Sequence, residues 1–319
     1  MRPILPPTGV PVRRLAQTSR SVVVLSGNGL PGYREPFPGA NVRMVLSSAA
    51  SVVSPSRPSI AWLGDTDGLE LELARRWVGE LAEVVESADV AAGDDGSRGP
   101  AAVILAGRRP GCWDLRRATA VVRRWPLAPL IGLATSLDDG RRRSGPMLPG
   151  VEEMTWSDLP GRLAWWFAER DAGRPGSLGM PATARREDRL LDAAAGIRAF
   201  AARFALGPRI AAAATRRIDL EGLADLVGAI AGPVASRTCG RPPLDVAADL
   251  VVWDVGPTTN ADLTWLRLIT AHRPGLPIVV VESFPRGDTA LTALRAGAAA
   301  VLGRPLSAEA LAGTLLRLG

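Results

Sequence analysis

The sequence predicts two doubly wound α/β units, each a five-stranded parallel sheet laced by helices. Three observations carry this expectation. Short apolar runs alternate with amphipathic stretches of about a dozen residues, and that alternation requires parallel strands joined by right-handed crossovers. Three runs, AAVILAG, DLVVWDV and PIVVVES, are apolar almost throughout, as strands covered on both faces are. The same order of runs and stretches occurs twice, over 58–172 and again over 208–319.

Residues 1–57 stand apart as an irregular leader. Pro3, Pro6, Pro7, Pro11, Pro31, Pro36, Pro38 and Pro55 interrupt them, and proline removes a backbone donor and fixes φ. Arg13-Arg14 before the apolar run Val22 to Leu25 is a faint twin-arginine pattern, but the run is short and a cleavage site is not evident. Met44 is an alternative start. Gly27, Gly29 and Gly32 spell GxGxxG, yet Pro31, Pro36 and Pro38 forbid the helix a dinucleotide site needs, so no cofactor is expected there.

In the first unit SIAWL (59–63) reads as a strand, 67–82 as an amphipathic helix and EVVES (83–87) as a strand. A loop (89–99), the strand AAVILAG (101–107), a helix over 113–125 and the strand PLIGLAT (129–135) follow. After a loop come the weak strand VEEMTW and a helix over 157–170, with Ser157 or Asp158 as its cap. A connector over 173–207 contains one helix. Its apolar stripe, Leu190, Ala194, Ile197, Ala201 and Phe204, suits packing on one of the units better than a helix–helix dimer seam. The second unit reads as strands at 209–214, 233–238, 249–255, 277–283 and 298–302, and helices at 218–230, 260–272, 288–297 and 307–318. Five strands in this sequence of connections make a flavodoxin-like sheet.

Composition removes many chemistries. All 38 basic residues are Arg, so there is no lysine for a Schiff base or a nucleotide phosphate. One histidine, His272, at a helix end, cannot form a two-histidine metal site within one chain. Cys112 and Cys239 are far apart, without a CxxC, and so few cysteines suit a reducing compartment. No run is long enough to span a membrane. The net charge of +6 resides in the leader and connector, with both units close to neutral, a pattern that disfavours a nucleic-acid-binding fold.

The segment DLVVWDVGPTTNADLTWLRLITAHRPGLPIVVVESF, with DTALTALRAGAAAVLGRPLSAEAL after it, resembles the receiver domains of two-component response regulators. The resemblance covers about 110 residues, counting the weaker half from 208 to 248. It implies a phosphoacceptor position at Asp254, at the end of a buried strand. It also implies that the receiver machinery is degenerate. The metal-binding acidic pair is replaced by Thr215 and Arg216, the switch hydroxyl by Glu282 with Ser283 beside it, and the phosphate-contacting lysine by Arg304. Arginine where an acid should stand repels Mg²⁺: at about 4 Å and an effective dielectric near 20, each unit charge is worth about 4 kcal/mol. No metal and no cofactor are therefore expected. Arg216 or Arg304 is a candidate partner for Asp254, or for an anion where phosphate would sit, as a metal-free mimic of the phosphorylated state; the alternative is a solvated or capping acid. The first unit is less equipped still. Asp65, with Asp67 close by, could stand for one member of an acidic pair, but Ala106-Gly107 occupies the acceptor position and Trp156-Ser157 the last strand end.

Two further clusters are candidate interfaces. Arg116 and Arg123, like Arg117 and Arg124, lie seven apart on one predicted helix, in a segment with nine arginines between 108 and 143; a solvated helix face is the favoured reading, and binding of nucleic acid or an acidic partner the alternative. Trp165 and Trp166 are adjacent on another helix, where core packing against the sheet or connector is the favoured reading and an exposed ring as a contact for a partner the alternative. The expected protein is a cytoplasmic, non-enzymatic regulator made of tandem receiver-like units. It would act through protein contacts, with a histidine kinase, an output protein or a second copy of the chain as candidate partners, and no membrane. The alternatives are an atypical receiver phosphorylated on Asp254 in a phosphorelay and an Arg-mediated nucleic-acid-binding regulator. A Rossmann-type enzyme is disfavoured.

Overall fold

The computed structural model describes residues 57–87, 99–109, 111–138, 148–174, 186–204 and 207–319, with residues 176, 180 and 184 between them. The leader, its glycine motif, its arginine pair and Arg141 to Arg143 lie outside the described residues. Ser54 to Gly319 form one compact unit that contains both sheets.

The first sheet comprises β1 (Ser59–Gly64), β2 (Glu83–Ser87), β3 (Ala102–Ala106), β4 (Leu130–Ala134) and β5 (Val151–Thr155), with α1 (Leu69–Leu81), α2 (Leu115–Arg124) and α3 (Leu159–Asp171). The helix α4 (Arg186–Phe204) leads to the second sheet. That sheet comprises β6 (Ile210–Ala214), β7 (Ser236–Cys239), β8 (Leu250–Gly256), β9 (Ile278–Ser283) and β10 (Ala300–Arg304), with α5 (Arg217–Ala231), α6 (Asn260–His272), α7 (Gly287–Arg295) and α8 (Ala308–Leu318). All pairings are parallel, in the orders β2-β1-β3-β4-β5 and β10-β9-β8-β6-β7. Counted within each unit, both are 2-1-3-4-5, the flavodoxin-like order. The fold is therefore two doubly wound five-stranded sheets.

Local chemistry explains the helix ends. Asp114 caps α2 by accepting from the Arg117 N–H at 2.7 Å, and Ser307 caps α8 by accepting from Ala310 at 3.3 Å. Thr259 and Asp262 form a reciprocal capping box on α6. Asp158 stands at the N-cap of α3 but makes no side-chain cap bond; its Oδ1 instead lies 3.4 Å from the Gly303 N–H of the second sheet. The expected cap has been diverted to the junction.

One continuous core links the two sheets. It holds Ile60, Trp62 and Ile104 from the first and Val251, Val252 and Val280 from the second. A separate core, with Ala61, Leu63, Val103 and Leu105, lies on the opposite face of the first sheet under Ala118 and Val121 of α2. At the junction α3 crosses α8 on glycine. A Cβ on Gly313 would fall 1.8 Å from the Gly161 carbonyl oxygen, and one on Gly161 would fall 2.2 Å from that of Ala310. Only glycine lets these backbones approach so closely.

The tryptophan pair packs in the core, and the alternative of a ring exposed to a partner is corrected here. Trp165 and Trp166 are 2 % and 1 % exposed. Trp165 meets Phe200 of α4 edge-on at 5.1 Å, and Trp166 donates its indole N–H to Glu309 of α8 at 3.1 Å. Both faces of α3 are covered, one by α4 and one by α8, so neither ring is left for another molecule. The stripe on α4 is also shifted. Ile197 and Phe200 are buried, whereas Leu190 is 60 % exposed. The α4 helix turns Phe200, not Ala201, towards Trp165.

Candidate functional site

The carboxyl ends of β6, β8, β9 and β10 converge where receiver-like chemistry was expected. Asp254 sits in register with Ala214 of β6 and Val281 of β9, and Ser283 with Arg304. Continuous apolar character buries β8 up to this acid, leaving Asp254 only 5 % exposed. Such a carboxylate needs partners, because desolvating an unpaired charge is costly. Its Oδ1 accepts the Gly256 N–H at 3.1 Å, and its Oδ2 accepts from the Arg304 guanidinium in a close ion pair.

Arg304 also reaches a second acid. Its Nη2 lies 3.2 Å from Oδ2 of Asp219, in the first turn of α5. Arg216 also grips Asp219, donating to Oδ2 at 2.6 Å and to Oδ1 at 3.1 Å. The site is thus an alternating chain, Asp254–Arg304–Asp219–Arg216. The hydrogen bond from Arg216, reinforced by Arg304, holds the Asp219 carboxyl below its ordinary range. Burial works against the Arg304 charge, but the bond and charge of Asp254, with those of Asp219, outweigh it and raise the guanidinium above its ordinary value.

Of the two candidate partners for Asp254, the structure joins Arg304 to it and directs Arg216 to Asp219. Thr215 does not face the carboxylate. Its N–H donates to the Asp254 carbonyl at 3.1 Å and its hydroxyl to that of Val255 at 3.2 Å, so it fastens the strand ends. Glu282 is 4 % exposed and accepts from the Thr289 hydroxyl at 3.2 Å. Burial pushes its carboxyl above the ordinary value. Ser283 is half-buried beside it.

The lone carboxylate expected from the sequence is corrected to a pair. Asp219 was missed because it lies outside the strand end that the resemblance aligns. Its signal is the spacing of three from Arg216, which on a helix start brings the two side chains together. Both carboxylates of the pair are already engaged. Hard divalent ions need several free oxygens, and both carboxylates here already share one guanidinium. Among the described residues there is no group of three His, Cys, Asp or Glu side chains placed to hold a metal.

In the first unit the equivalent place holds Ala106 and Gly107. Asp65 there accepts the Arg108 N–H at 2.9 Å. The end of β5 runs into Trp156, which stacks on Trp77 of α1, and Ser157, which meets the second unit: a Cβ on Gly303 would lie 3.2 Å from the Ser157 hydroxyl. A cleft of about 900 Å³ runs beside this junction and is lined by Arg162, Arg189, Ile197, Phe284, Arg304 and Pro305. Its arginines are paired internally, Arg162 with Glu152 and Glu309, and Arg189 with Glu152. Arg116 and Arg123 are exposed on α2.

No family model and no curated protein matches the chain. Over about a third of its length the chain is similar to solved receiver domains and related structures. One is a protein described as pilus assembly-related from Burkholderia pseudomallei, 26 % identical over 34 % of this chain and 87 % of the other, with a TM-score of 0.32. A second, described as a pilus assembly protein from Burkholderia thailandensis, is 28 % identical over 34 % and 96 %, with a TM-score of 0.31. A third, the BeF3-activated receiver domain of DrrB, is 17 % identical over 35 % and 96 %, with a TM-score of 0.30.

Proposed function

We propose that this chain is a non-enzymatic regulatory protein that acts by docking, and that its second unit is a pseudo-receiver whose acceptor site is closed by its own arginine. The observation that supports this most is the Asp254–Arg304 ion pair, bridged to Asp219. A guanidinium bonded to the carboxylate occupies the approach a phosphodonor would need, and it replaces a metal as the neutralising charge. The arrangement sets a positive group against the acceptor carboxylate without a metal. The domain plan that goes with this reading is a leader over 1–57, receiver-like units over 58–172 and 208–319, and a helical connector between them. A cytoplasmic location goes with it too; no described helix is long and apolar enough to cross a membrane.

The test is incubation with acetyl phosphate and Mg²⁺, read by intact mass. The proposal expects no phosphoryl adduct on the wild-type chain. A labile adduct that disappears in Asp254→Ala would instead establish the atypical phosphorelay receiver.

A further inference from the structure

We propose that the outer face of α2 is a docking surface for a short acidic segment of a partner protein. The proposal rests on the docking function above and names the chemistry of the partner. Between residues 108 and 124 the chain carries six arginines and one carboxylate, Asp114, whose Oδ1 is taken up by the cap bond to Arg117. Biased amino-acid usage supplies arginines everywhere in this chain, but elsewhere the structure neutralises many of them. Arg162, Arg209, Arg216, Arg217 and Arg241 each hold a carboxylate. On α2, Arg116 and Arg123 are exposed and have no carboxylate partner among the described residues. This charge is concentrated on a helix about 15 Å long that stands by itself over its own small core.

The face is also organised. The Arg117 guanidinium sits 5.4 Å over Trp113 and donates to the Cys112 carbonyl at 2.7 Å, and that of Arg124 sits 4.5 Å over Trp125. Stacking on an indole fixes a guanidinium in orientation, which lowers the entropy lost when it binds a carboxylate. Leu115 and Leu127, 57 % and 93 % exposed, flank the helix at its two ends. Arginine, tryptophan and exposed leucine together compose a protein-binding face rather than a phosphate track.

Charge beyond the helix limits the partner's size. Over the rest of 57–172 there are nine arginines against seventeen carboxylates. A long polyanion such as duplex DNA draws on many cations along its length, which a unit of that charge balance does not supply. A short acidic segment with apolar side chains needs only those of the helix.

The experiment is fluorescence anisotropy on the full chain with a labelled peptide of Glu and Leu at helical spacing, and with labelled single- and double-stranded DNA oligonucleotides, at two salt concentrations. The inference expects salt-sensitive peptide binding that weakens about tenfold or more in the double variant Arg116→Glu with Arg123→Glu. An equal charge change placed elsewhere, Arg267→Glu with Arg295→Glu, is expected to preserve binding, and thermal melts show that each variant is folded. Failure of the peptide to bind, an equal loss in the control variant, or DNA binding tighter than peptide binding with the same dependence on α2 would each overturn it. The phosphodonor experiment is unaffected by any of these outcomes, so this inference and the docking function can fail separately.

Discussion

Arg304 serves two carboxylates with one guanidinium, and its removal leaves a charge stranded in each direction. Asp254 is the more buried of the two, so its loss of partner dominates. Arg304→Met is expected to destabilise the fold by about 3 kcal/mol in urea denaturation near neutral pH, the lower end for a broken buried pair because the arginine is partly exposed. Adding Asp254→Asn should recover most of that loss, since the stranded charge is gone. Glu282 carries the opposite sign. Its ordinary value is 4.5 and burial raises the folded one, so the folded state binds its proton more tightly than the unfolded state. Stability is then lost as pH rises through that window. Glu282→Gln should melt higher than wild type near neutral pH, and the gap should close as pH falls below 4.5. Asp219 works the other way: its lowered carboxyl contributes above the ordinary range, and the contribution disappears as pH falls. At this scale the sequence was half legible. Asp254 and Arg304 could be placed because each ends a strand with a marked apolar pattern. The choice between Arg216 and Arg304 as partner, and the presence of Asp219, depend on the phase of α5 against the sheet, which no strand pattern encodes.

Glycines separate two kinds of helix surface. Gly222 in α5 has open space where a Cβ would go, whereas Gly313 in α8 has the Gly161 carbonyl at 1.8 Å. Helix propensity alone favours alanine at both positions, by about 1 kcal/mol. Gly222→Ala should therefore raise stability by about that amount. Gly313→Ala should lower it by about 3 kcal/mol, because the α3–α8 crossing must open. Chemical denaturation of the two variants beside wild type checks both signs. Elements of this kind were mostly readable in advance. EVVES is β2, and the stretch 260–272 is α6 to the residue, because capping box and apolar spacing agree there. The stripe on α4 was misplaced by one residue after Ile197, since alanines at several positions left the helix phase to be decided by Trp165 and Phe200.

The molecule as a whole is held by a junction that repeats ion pairs around a glycine crossing. Arg162 binds Glu309, Arg317 binds Glu80 at 2.8 Å, and Glu70 accepts the Gly287 N–H that opens α7 at 3.1 Å. With the core continuous through it, the two sheets should unfold in one calorimetric transition. Glu309→Ala leaves Arg162 with Glu152 alone and strands the Trp166 indole N–H at the centre of the junction, and should split that transition into two. Nothing in the sequence announced this junction, because each unit's pattern reports only that a face is apolar, not which surface covers it. The same junction fixes Gly303 beside Asp158 and Ser157, next to Arg304, so it helps to hold the guanidinium in the acceptor pocket. Whether that pocket is truly committed to arginine is most directly read by calorimetric titration of the full chain with Mg²⁺. No saturable binding is expected in wild type or in Asp254→Ala. A saturable Mg²⁺ site in wild type that Asp254→Ala abolishes would contradict the account.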